Sequence, residues 1–537
     1  MEMLPLDARY AIVGVLLLIP LATWCSTWVR SFPAKPFTGK EPPMVPYCIP
    51  YIGHLLQFLD NPGELMRRCR RKYPSAPFTL QMPGAKFHVF SSPDTAFEIF
   101  TKPRNFIFEP VVASMMSNGL ELDGEDLQKF DVPLISDRKD PNLTPAQRES
   151  YVFTQRNHSL YLKYLSGKTL TSIMQVYREN FLYFINRMMP VEKETTKSLN
   201  LHKVLQRLIF ETSCVTFFGT RVHQVSPDIW SHWDSFNKAA YIGVRSRASF
   251  YLRPWTLGGR QRMLQAFDKW CDTELEPWPE EAGLWNKKWG VKLNWERERM
   301  ARDHNMTLRG RSAVHVSFFW VIITNAAPML TWMVTALLTH PEYLREFRSI
   351  SERYISFSGS GDLELDIPGF CTEPFIQGVW KEALRLGVTS APARVVAQDS
   401  EIEGYVVKKG SVILMPVRIM HFEPDVFEDP WTFNPWRWVS VEEEITTFPS
   451  SNPARMSPER LKRQNKSLRP FGGGTGVCSG RFVAEQEVMM GAAILFHLFD
   501  FEFEPGQKIP QPNLNPRGQG AMYPLIDPKV RITRRQA

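Results

Sequence analysis

Residues 471–480 read Phe-Gly-Gly-Gly-Thr-Gly-Val-Cys-Ser-Gly and lead directly into an apolar helical pattern at residues 481–499. Five glycines in ten residues let the backbone fold tightly around Cys478 and aim its N–H groups at the sulfur. Because Cys478 opens the predicted helix, the unpaired N–H groups of the first turn favour thiolate, the form of cysteine that binds metals. The loop has no partner cysteines for a zinc or iron–sulfur site, which leaves the axial thiolate of a haem iron. The alternative is a glycine-rich turn with a buried, unreactive cysteine.

The spacing of Phe471, Gly474, Cys478 and Gly480 resembles the haem-binding signature of the cytochrome P450 superfamily. The resemblance implies that Cys478 is the axial ligand of haem b, with Phe471 packed beside the sulfur and the two glycines shaping the cofactor site. Most members carry an arginine or histidine two residues before the cysteine, where it pairs with a haem propionate. This chain has Gly476 there, so we expect other residues to hold that propionate.

Length and composition allow a large buried core, since the chain has 537 residues of which 43% are hydrophobic. The net charge of +8 comes from basic residues scattered among 56 acidic ones. This distribution favours a basic face for an acidic protein partner or a membrane surface over a nucleic-acid site. Seven cysteines without a Cys-x-x-Cys motif fit a reducing compartment.

The N-terminal segment predicts a membrane helix. Tyr10 to Val29 is a 20-residue run without a charge, which is about the length needed to cross a bilayer. A cleaved signal peptide is the alternative, but its apolar region would be shorter and would end in small residues. Arg30, Lys35 and Lys40 follow the run, so we expect the bulk of the chain on the cytosolic side of the endoplasmic reticulum membrane.

The chain is therefore divided into an anchor at residues 1–30, a proline-rich hinge at 31–50 and a haem-thiolate catalytic domain at 51–537. The hinge holds six prolines, which exclude a helix and favour an extended strap. The resemblance implies the cytochrome P450 fold, mainly α-helical with small β-sheets, behind an N-terminal transmembrane helix.

The longest apolar helical pattern after the anchor spans Val314 to His340, a composition that a helix needs when it crosses the centre of a large domain. Pro328 removes an N–H group and displaces the carbonyl of Thr324, so the helix should kink there. In the P450 family this helix passes over the haem with a Gly-x-Asp/Glu-Thr set. Asn325, Ala327 and Pro328 replace the glycine, the acid and the threonine.

Glu382 and Arg385 stand three residues apart and share one face of a predicted helix, a pattern that is common in solvated surface pairs. The segment 429–438 resembles the meander motif of the family and supplies Arg437. The resemblance implies that Glu382, Arg385 and Arg437 form a buried triad on the thiolate side of the haem, with one carboxylate neutralised by two guanidinium groups.

Two further residues occupy positions that meet a haem propionate in the family. Arg394 follows the Glu-x-x-Arg helix, and an ordinary strand arginine is the alternative. His158 lies near the start of a helical pattern over residues 154–189. In the family this helix carries a tryptophan and, four residues later, a basic residue; Thr154 takes the first position and His158 the second. A surface histidine is the alternative.

The predicted function is an NADPH- and oxygen-dependent monooxygenase of a lipophilic small molecule such as a terpenoid, sterol or polyketide, with electrons from a reductase. Secondary-metabolite biosynthesis is one setting. Because the usual acid and threonine are missing, we expect water held by Asn325, Thr324 and the carbonyl freed by Pro328 to deliver protons. The alternatives are an oxygen-independent haem-thiolate isomerase or dehydratase, and a haem-binding protein without turnover.

Features outside the cysteine loop narrow the resemblance further. The Asn-x-x-Pro of the central helix, Trp332 after it and the Arg-Gly-x-Gly tail at residues 517–520 are more similar to one branch of the family. That branch contains the sterol 7α-hydroxylases and prostacyclin synthase. The tail resembles the terminal hairpin whose turn enters the active site.

Overall fold

The computed structural model of the protein describes residues 6–29, 40–74, 76–130, 143–191, 195–243, 257–440, 457–513 and 520–535. Most of these residues are helical, as predicted. The helices of the N-terminal half are α1 (Leu6–Val29), α2 (Leu55–Asp60), α3 (Pro62–Lys72), α4 (Pro93–Thr101), α5 (Glu109–Leu120), α6 (Gly124–Gln128), α7 (Pro145–Tyr164), α8 (Gly167–Met188), α9 (Leu201–Phe218), α10 (Arg221–Val225) and α11 (Ile229–Gly243). The later helices are α12 (Leu257–Cys271), α13 (Lys292–Asp303), α14 (Leu308–Thr324), α15 (Ala326–Thr339), α16 (Pro341–Glu352), α17 (Ile367–Thr372), α18 (Pro374–Gly387), α19 (Val417–His421), α20 (Pro458–Ser467) and α21 (Arg481–Leu498).

The strands are short and form small sheets. They are β1 (Phe78–Met82), β2 (Ala85–Val89), β3 (Phe106–Ile107), β4 (Thr196–Asn200), β5 (Trp285–Asn286), β6 (Gly290–Val291), β7 (Ile355–Phe357), β8 (Leu363–Leu365), β9 (Ala393–Val396), β10 (Ser400–Ile402), β11 (Tyr405–Val407), β12 (Val412–Leu414), β13 (Phe499–Phe503) and β14 (Lys529–Arg534). The largest sheet has the order β1-β2-β12-β9-β3, and a second has the order β13-β14-β4. In the first sheet β12 runs parallel to β2 and antiparallel to β9.

Helices α14 and α15 cross the middle of the main hydrophobic core. The side chain of Thr307 caps the first turn of α14 by accepting the Gly310 N–H at 3.0 Å. Helix α14 packs on α12 and α9, and α15 packs on α9, α18 and α21. Neighbours on all sides explain why this stretch is apolar around its whole circumference.

A break divides the central helix in two close to Pro328, where the sequence predicts a kink. Helix α14 ends at Thr324 and α15 begins at Ala326. Asn325 lies between them with φ −94° and ψ −25°, which keeps the direction of the chain while the hydrogen-bond ladder is interrupted. The interruption follows from the missing N–H of Pro328.

The second part of the predicted hinge is bonded to the sheets. Val406 N–H donates to the Lys40 carbonyl at 3.0 Å, and Thr79 N–H donates to the Pro43 carbonyl at 2.8 Å. Val45 N–H in turn donates to the Thr79 carbonyl at 2.9 Å. Prolines lack a donor but keep their carbonyl acceptor, so this extended segment can lie along a sheet edge. The prolines at positions 33 and 36 lie outside the described residues.

The N-terminal helix α1 has 24 residues and includes Pro20. Its side chains from Leu18 to Val29 form an apolar segment shorter than a bilayer span. Among the described residues, the stretch that is long and apolar enough to cross a membrane is Leu308–Thr339, which is mostly buried inside the domain.

Candidate active site

The cysteine loop is closed by its own backbone. Cys478 N–H donates to the Phe471 carbonyl at 3.0 Å, and a short 3-10 turn at Gly474–Gly476 lies between them. Gly474 has φ +64°, and a Cβ on it would lie 2.5 Å from the carbonyl oxygen of Phe100. Both facts require glycine at this position. Gly480 immediately precedes α21.

The Cys478 thiol has accessible surface, yet burial by surrounding protein raises its pKa. The Gly480 N–H and the charge of Arg481 lower the pKa by less. Burial thus outweighs the two groups of the loop that favour thiolate, and α21 begins at Arg481 rather than at the cysteine. A metal ion bound to the sulfur would remove the proton outright.

Arg394 of β9 reaches the cysteine loop. Its Nη2 donates to the Gly473 carbonyl at 2.7 Å, and its guanidinium carbon lies 5.0 Å from the ring centroids of both Phe100 and Phe108. Burial lowers the pKa of Arg394 to about 10, so the side chain keeps its charge at neutral pH. A Cβ on Gly476 would lie 2.9 Å from Arg394 Nη2. Gly476 thus leaves room for the guanidinium of Arg394, which comes from strand β9.

The predicted triad is assembled at the C-terminal part of α18. Arg385 donates to Glu382 through Nε at 2.9 Å and Nη2 at 2.7 Å, and Arg437 Nε donates to Glu382 Oε1 at 3.0 Å. All three side chains are buried. Charge-assisted, bidentate bonds of this kind compensate the cost of burying the carboxylate.

Two residues that sequence reasoning missed complete this cluster. Trp438 Nε1 donates to Glu382 Oε2 at 2.9 Å. The ring of His421 lies 3.2 Å from the Arg385 carbonyl through Nδ1 and accepts the Arg469 N–H at Nε2, at 3.1 Å. Because burial and Arg385 lower the pKa of His421 to about 3, the ring is neutral and carries its proton on Nδ1. It joins the triad helix to the segment that enters the cysteine loop.

The central helix presents one accessible face in its buried middle. Val321 has 51% of its surface accessible although residues 318–320 and 322–324 are buried. Asn325, one turn later, is on the same face and is half-buried. Its Oδ1 accepts the Ala521 N–H at 3.1 Å, so the amide NH2 is the group still able to donate. The accessible surface around Val321 and Asn325 is here called the recess.

The other two predicted proton-relay groups have protein partners. The Thr324 hydroxyl donates to the Trp320 carbonyl at 2.6 Å, and the Thr324 carbonyl, which Pro328 frees, lies 3.4 Å from the hydroxyl of Tyr523. The sequence predicts water at all three groups. Only the Asn325 NH2 remains available for that role in the described structure.

His158 lies on α7 and is half-buried. The predicted helix over residues 154–189 is divided, since α7 ends at Tyr164 and α8 begins at Gly167. Within the described part of the chain, no hydrogen bond or ion pair joins His158 to another residue. The contacts of the ring therefore do not connect it to the cysteine loop.

Comparison with known proteins decides the family. The sequence model described as Cytochrome P450 matches residues 150–526. The chain belongs to the cytochrome P450 family. Its relatives include the cytochrome P450 monooxygenase efuG of Hormonema carpetanum, 23% identical over 93% of this chain and 90% of that protein. Another is the cholesterol 7-alpha-monooxygenase of Cricetulus griseus, 22% identical over 95% of this chain and 96% of that protein.

Membership of the family confirms that this protein is an oxidoreductase of the monooxygenase class. It also implies a haem-thiolate cofactor, a redox partner and a lipophilic substrate. The residues present fit that cofactor. The loop offers one accessible sulfur and almost no side chains, and a buried cation lies beside it at Arg394. The central helix presents an accessible apolar side chain, Val321, and the half-buried amide of Asn325. The cholesterol 7-alpha-monooxygenase among these relatives is of the sterol 7α-hydroxylase type that the sequence indicates.

Proposed function

We propose that this P450 uses oxygen and electrons from an NADPH-dependent reductase to hydroxylate or otherwise oxidise a lipophilic small molecule of the terpenoid, sterol or polyketide class. The observation that carries the proposal is the accessible Cys478 sulfur in a side-chain-poor loop, within a fold whose central helix has one accessible apolar face. Similarity to fungal P450 monooxygenases supports the oxygen-dependent reaction. Similarity to a cholesterol monooxygenase supports a sterol.

The haem, when bound, supplies the activation of oxygen. Cys478 would bind it through the sulfur, and Phe471, Gly474 and Gly480 shape the loop around that atom. Arg394 pairs with a propionate in place of the side chain missing at Gly476, and we retain His158 as a second candidate for that role. The Glu382, Arg385 and Arg437 triad keeps α18 and the meander rigid beneath the cofactor.

Asn325 acts on the opposite side of the site. An amide NH2 donates hydrogen bonds but releases no proton at neutral pH. In this proposal it orients a water molecule or an oxygen atom of the substrate, and that water delivers protons. Thr324 and Pro328 shape the turn that presents the amide, and their polar groups are occupied by Trp320 and Tyr523.

An oxygen-independent isomerase or dehydratase is the second candidate. It is favoured by Ala327 and Pro328, which stand where an acid and a threonine assist proton delivery in monooxygenases of the family. An enzyme that rearranges a peroxide needs no external protons. A haem-binding protein without turnover is the third possibility and would consume neither NADPH nor peroxide.

The proposed location is the endoplasmic reticulum membrane, with α1 as a single span and the catalytic domain in the cytosol. The helix α1 has 24 residues, or about 36 Å at 1.5 Å per residue. The anchor, hinge and catalytic domain at residues 1–30, 31–50 and 51–537 are part of this proposal. The described contacts of residues 40–45 favour moving the start of the catalytic domain towards Lys40.

The cysteine is tested by Cys478→Ser, with Cys48→Ser on the exposed surface as matched control. An alcohol is a much weaker donor to iron than a thiolate. We expect the variant to lose the red-shifted band of the ferrous carbon monoxide complex, and the control to keep it. A folded Cys478→Ser protein that retains the band would contradict the assignment of the ligand.

The reaction class is tested by product formation in single turnovers, with NADPH, reductase and oxygen supplied or withheld one at a time. The monooxygenase requires all three, the isomerase requires none, and a non-catalytic protein forms no product. Asn325→Ala in the same assay should keep its haem, slow product formation by about 10²-fold or more and release more peroxide per NADPH. Asn465→Ala, on the exposed face of α20, is the control. Unchanged rate and coupling would contradict the role of Asn325.

A further inference from the structure

Residues 520–523, here called the terminal turn, are bonded to two different elements. The Ala521 N–H donates to Asn325 Oδ1 (3.1 Å), and the Met522 carbonyl accepts from Trp332 Nε1 (2.6 Å). The Gly520 carbonyl accepts the Thr389 N–H (3.0 Å), and the Met522 N–H donates to the Gly387 carbonyl (2.8 Å). Asn325 and Trp332 belong to the central helix, whereas Gly387 and Thr389 lie at the end of α18, the helix of the triad, and just after it. The terminal turn therefore links both sides of the site.

Tyr523 contacts the turn of the central helix that Pro328 opens. Pro328 has no N–H, so the carbonyl of Thr324, a buried residue, lacks its usual helical donor. The Tyr523 oxygen lies 3.4 Å from that carbonyl and accepts the Asn237 Nδ2 donor at 2.9 Å. Because Asn237 occupies an acceptor position of the hydroxyl, the phenolic proton is directed towards Thr324.

The neighbours of Tyr523 fix its ring. The ring of His202 packs against it edge to face, with centroids 5.0 Å apart and an interplanar angle of 81°. His202 Nδ1 lies 2.9 Å from the Thr331 hydroxyl, which itself donates to the Ala327 carbonyl at 2.8 Å. With its proton committed to Ala327, the Thr331 hydroxyl accepts from His202, and α9 is joined to α15 beside the kink.

Asn237 extends the same network to α11. Its Oδ1 accepts from Trp320 Nε1 at 2.9 Å and lies 3.2 Å from the Thr324 hydroxyl. One buried amide thus contacts the central helix with its oxygen and Tyr523 with its nitrogen. The opened turn is held by three elements that are remote from one another in sequence.

We propose that Tyr523 is a positioning residue that supplies the donor missing at Pro328 and, together with the Ala521 amide, directs the Asn325 NH2 into the recess. This inference rests on the proposed function of Asn325. The orientation of the Asn325 amide then depends on the terminal turn as well as on the central helix. A shift of the turn would rotate the Asn325 amide and change what the recess binds.

Tyr523→Phe isolates the hydroxyl, because the ring and its contact with His202 are kept. Pro328→Ala returns a backbone N–H to the helix, which can then donate to Thr324 and make the hydroxyl redundant. A buried carbonyl left without a donor is destabilised, and we expect a change of about tenfold in the local opening equilibrium, which is about 1.4 kcal/mol. Tyr354→Phe is the control, since its hydroxyl bonds Glu373 at 2.5 Å outside the site.

The experiment uses the full-length, haem-loaded protein and two measurements that do not depend on turnover. Amide hydrogen exchange is followed by mass spectrometry in peptides that cover residues 520–523 and 325–333, and imidazole is titrated as a probe of the distal recess. We expect Tyr523→Phe to raise exchange in both peptides about tenfold and to change the imidazole dissociation constant at least threefold. Both effects should shrink in Pro328→Ala/Tyr523→Phe, and Tyr354→Phe should match wild type.

Exchange and imidazole affinity that are unchanged in Tyr523→Phe, or equal changes with and without Pro328, would overturn the proposal. If Pro328→Ala does not fold, Asn325→Ala replaces it as the background. Adding Tyr523→Phe to Asn325→Ala should then cause no further change in imidazole affinity. An effect of Tyr523→Phe as large as in wild type would refute action through Asn325. Failure of the proposed function is seen separately, as a wild-type protein without a thiolate spectrum or without oxygen-dependent turnover.

Discussion

Gly476→Arg would restore the residue that most of the family carries two positions before the cysteine, and the structure predicts that it harms this protein. The first added atom would lie 2.9 Å from Arg394 Nη2 and 3.0 Å from two ring carbons of Phe108. Arg394 has little freedom to move away. Its guanidinium is bonded to the Gly473 carbonyl at 2.7 Å and lies between two aromatic rings.

The magnitude follows from packing. Gly476 does not have a left-handed φ, so Gly476→Ala tests the occupied space alone. Overpacking a filled site costs about 1–3 kcal/mol, and Gly476→Arg adds a second guanidinium beside the first, with a repulsion of up to about 4 kcal/mol at 4 Å and an effective dielectric constant near 20. We expect Gly476→Ala to lose some stability and Gly476→Arg to lose haem as well.

The assay measures haem per polypeptide, the carbon monoxide spectrum and the melting temperature of holoprotein. Thr475→Ala, on the exposed neighbouring residue, is the control and should resemble wild type. The swapped variant Gly476→Arg/Arg394→Ala should regain haem relative to Gly476→Arg, because one cation then replaces the other. If Gly476→Arg were as stable and as rich in haem as the control, Arg394 would not occupy the space that we assign to it.

Three further predictions concern other parts of the molecule. Burial raises the pKa of Glu487 to about 8, so in this pH range the folded state binds a proton that the unfolded state has lost. The free energy of unfolding should therefore fall by roughly 3–5 kcal/mol as the pH rises from about 4.5 to 8. Glu487→Gln should flatten this slope in denaturant titrations, and an unchanged slope would contradict the prediction. Trp438→Phe removes a donor from the buried Glu382 and should lower the free energy of unfolding by about 1–3 kcal/mol, whereas Trp431→Phe, at an exposed site, should change it little. Deletion of Met1–Val29 should move protein out of the membrane fraction with its haem retained, and a truncated protein that binds no haem in any detergent would show that α1 belongs to the folded core.

The parts of the site that could be predicted are those in which chemistry and backbone geometry are set by residues close in sequence. The spacing from Phe471 to Cys478 is sufficient because the loop is closed by a bond between these two residues. Glu382 and Arg385 lie three apart on one helix, so their pairing is a property of the helix. The break near Pro328 likewise follows from the proline itself.

The parts that could not be predicted depend on pairs far apart in the chain. Nothing near Tyr523 indicates that its hydroxyl approaches Thr324, 199 residues earlier. The bonds of His421 to Arg385 and Arg469 likewise depend on how α18 and the meander pack. The pKa of Cys478 depends on how much protein surrounds the loop, which the loop sequence does not specify.

The bonded strap at residues 40–45 has a mechanical consequence for α1. The Thr27 side chain near the end of α1 lies 3.2 Å from the Tyr47 carbonyl, and Lys40 and Pro43 are bonded to the sheets. The end of α1 is therefore bonded to Tyr47, next to the strap that lies along the sheets. We expect a tilt of α1 to act on the catalytic domain through this contact and to change the angle at which the recess meets its surroundings.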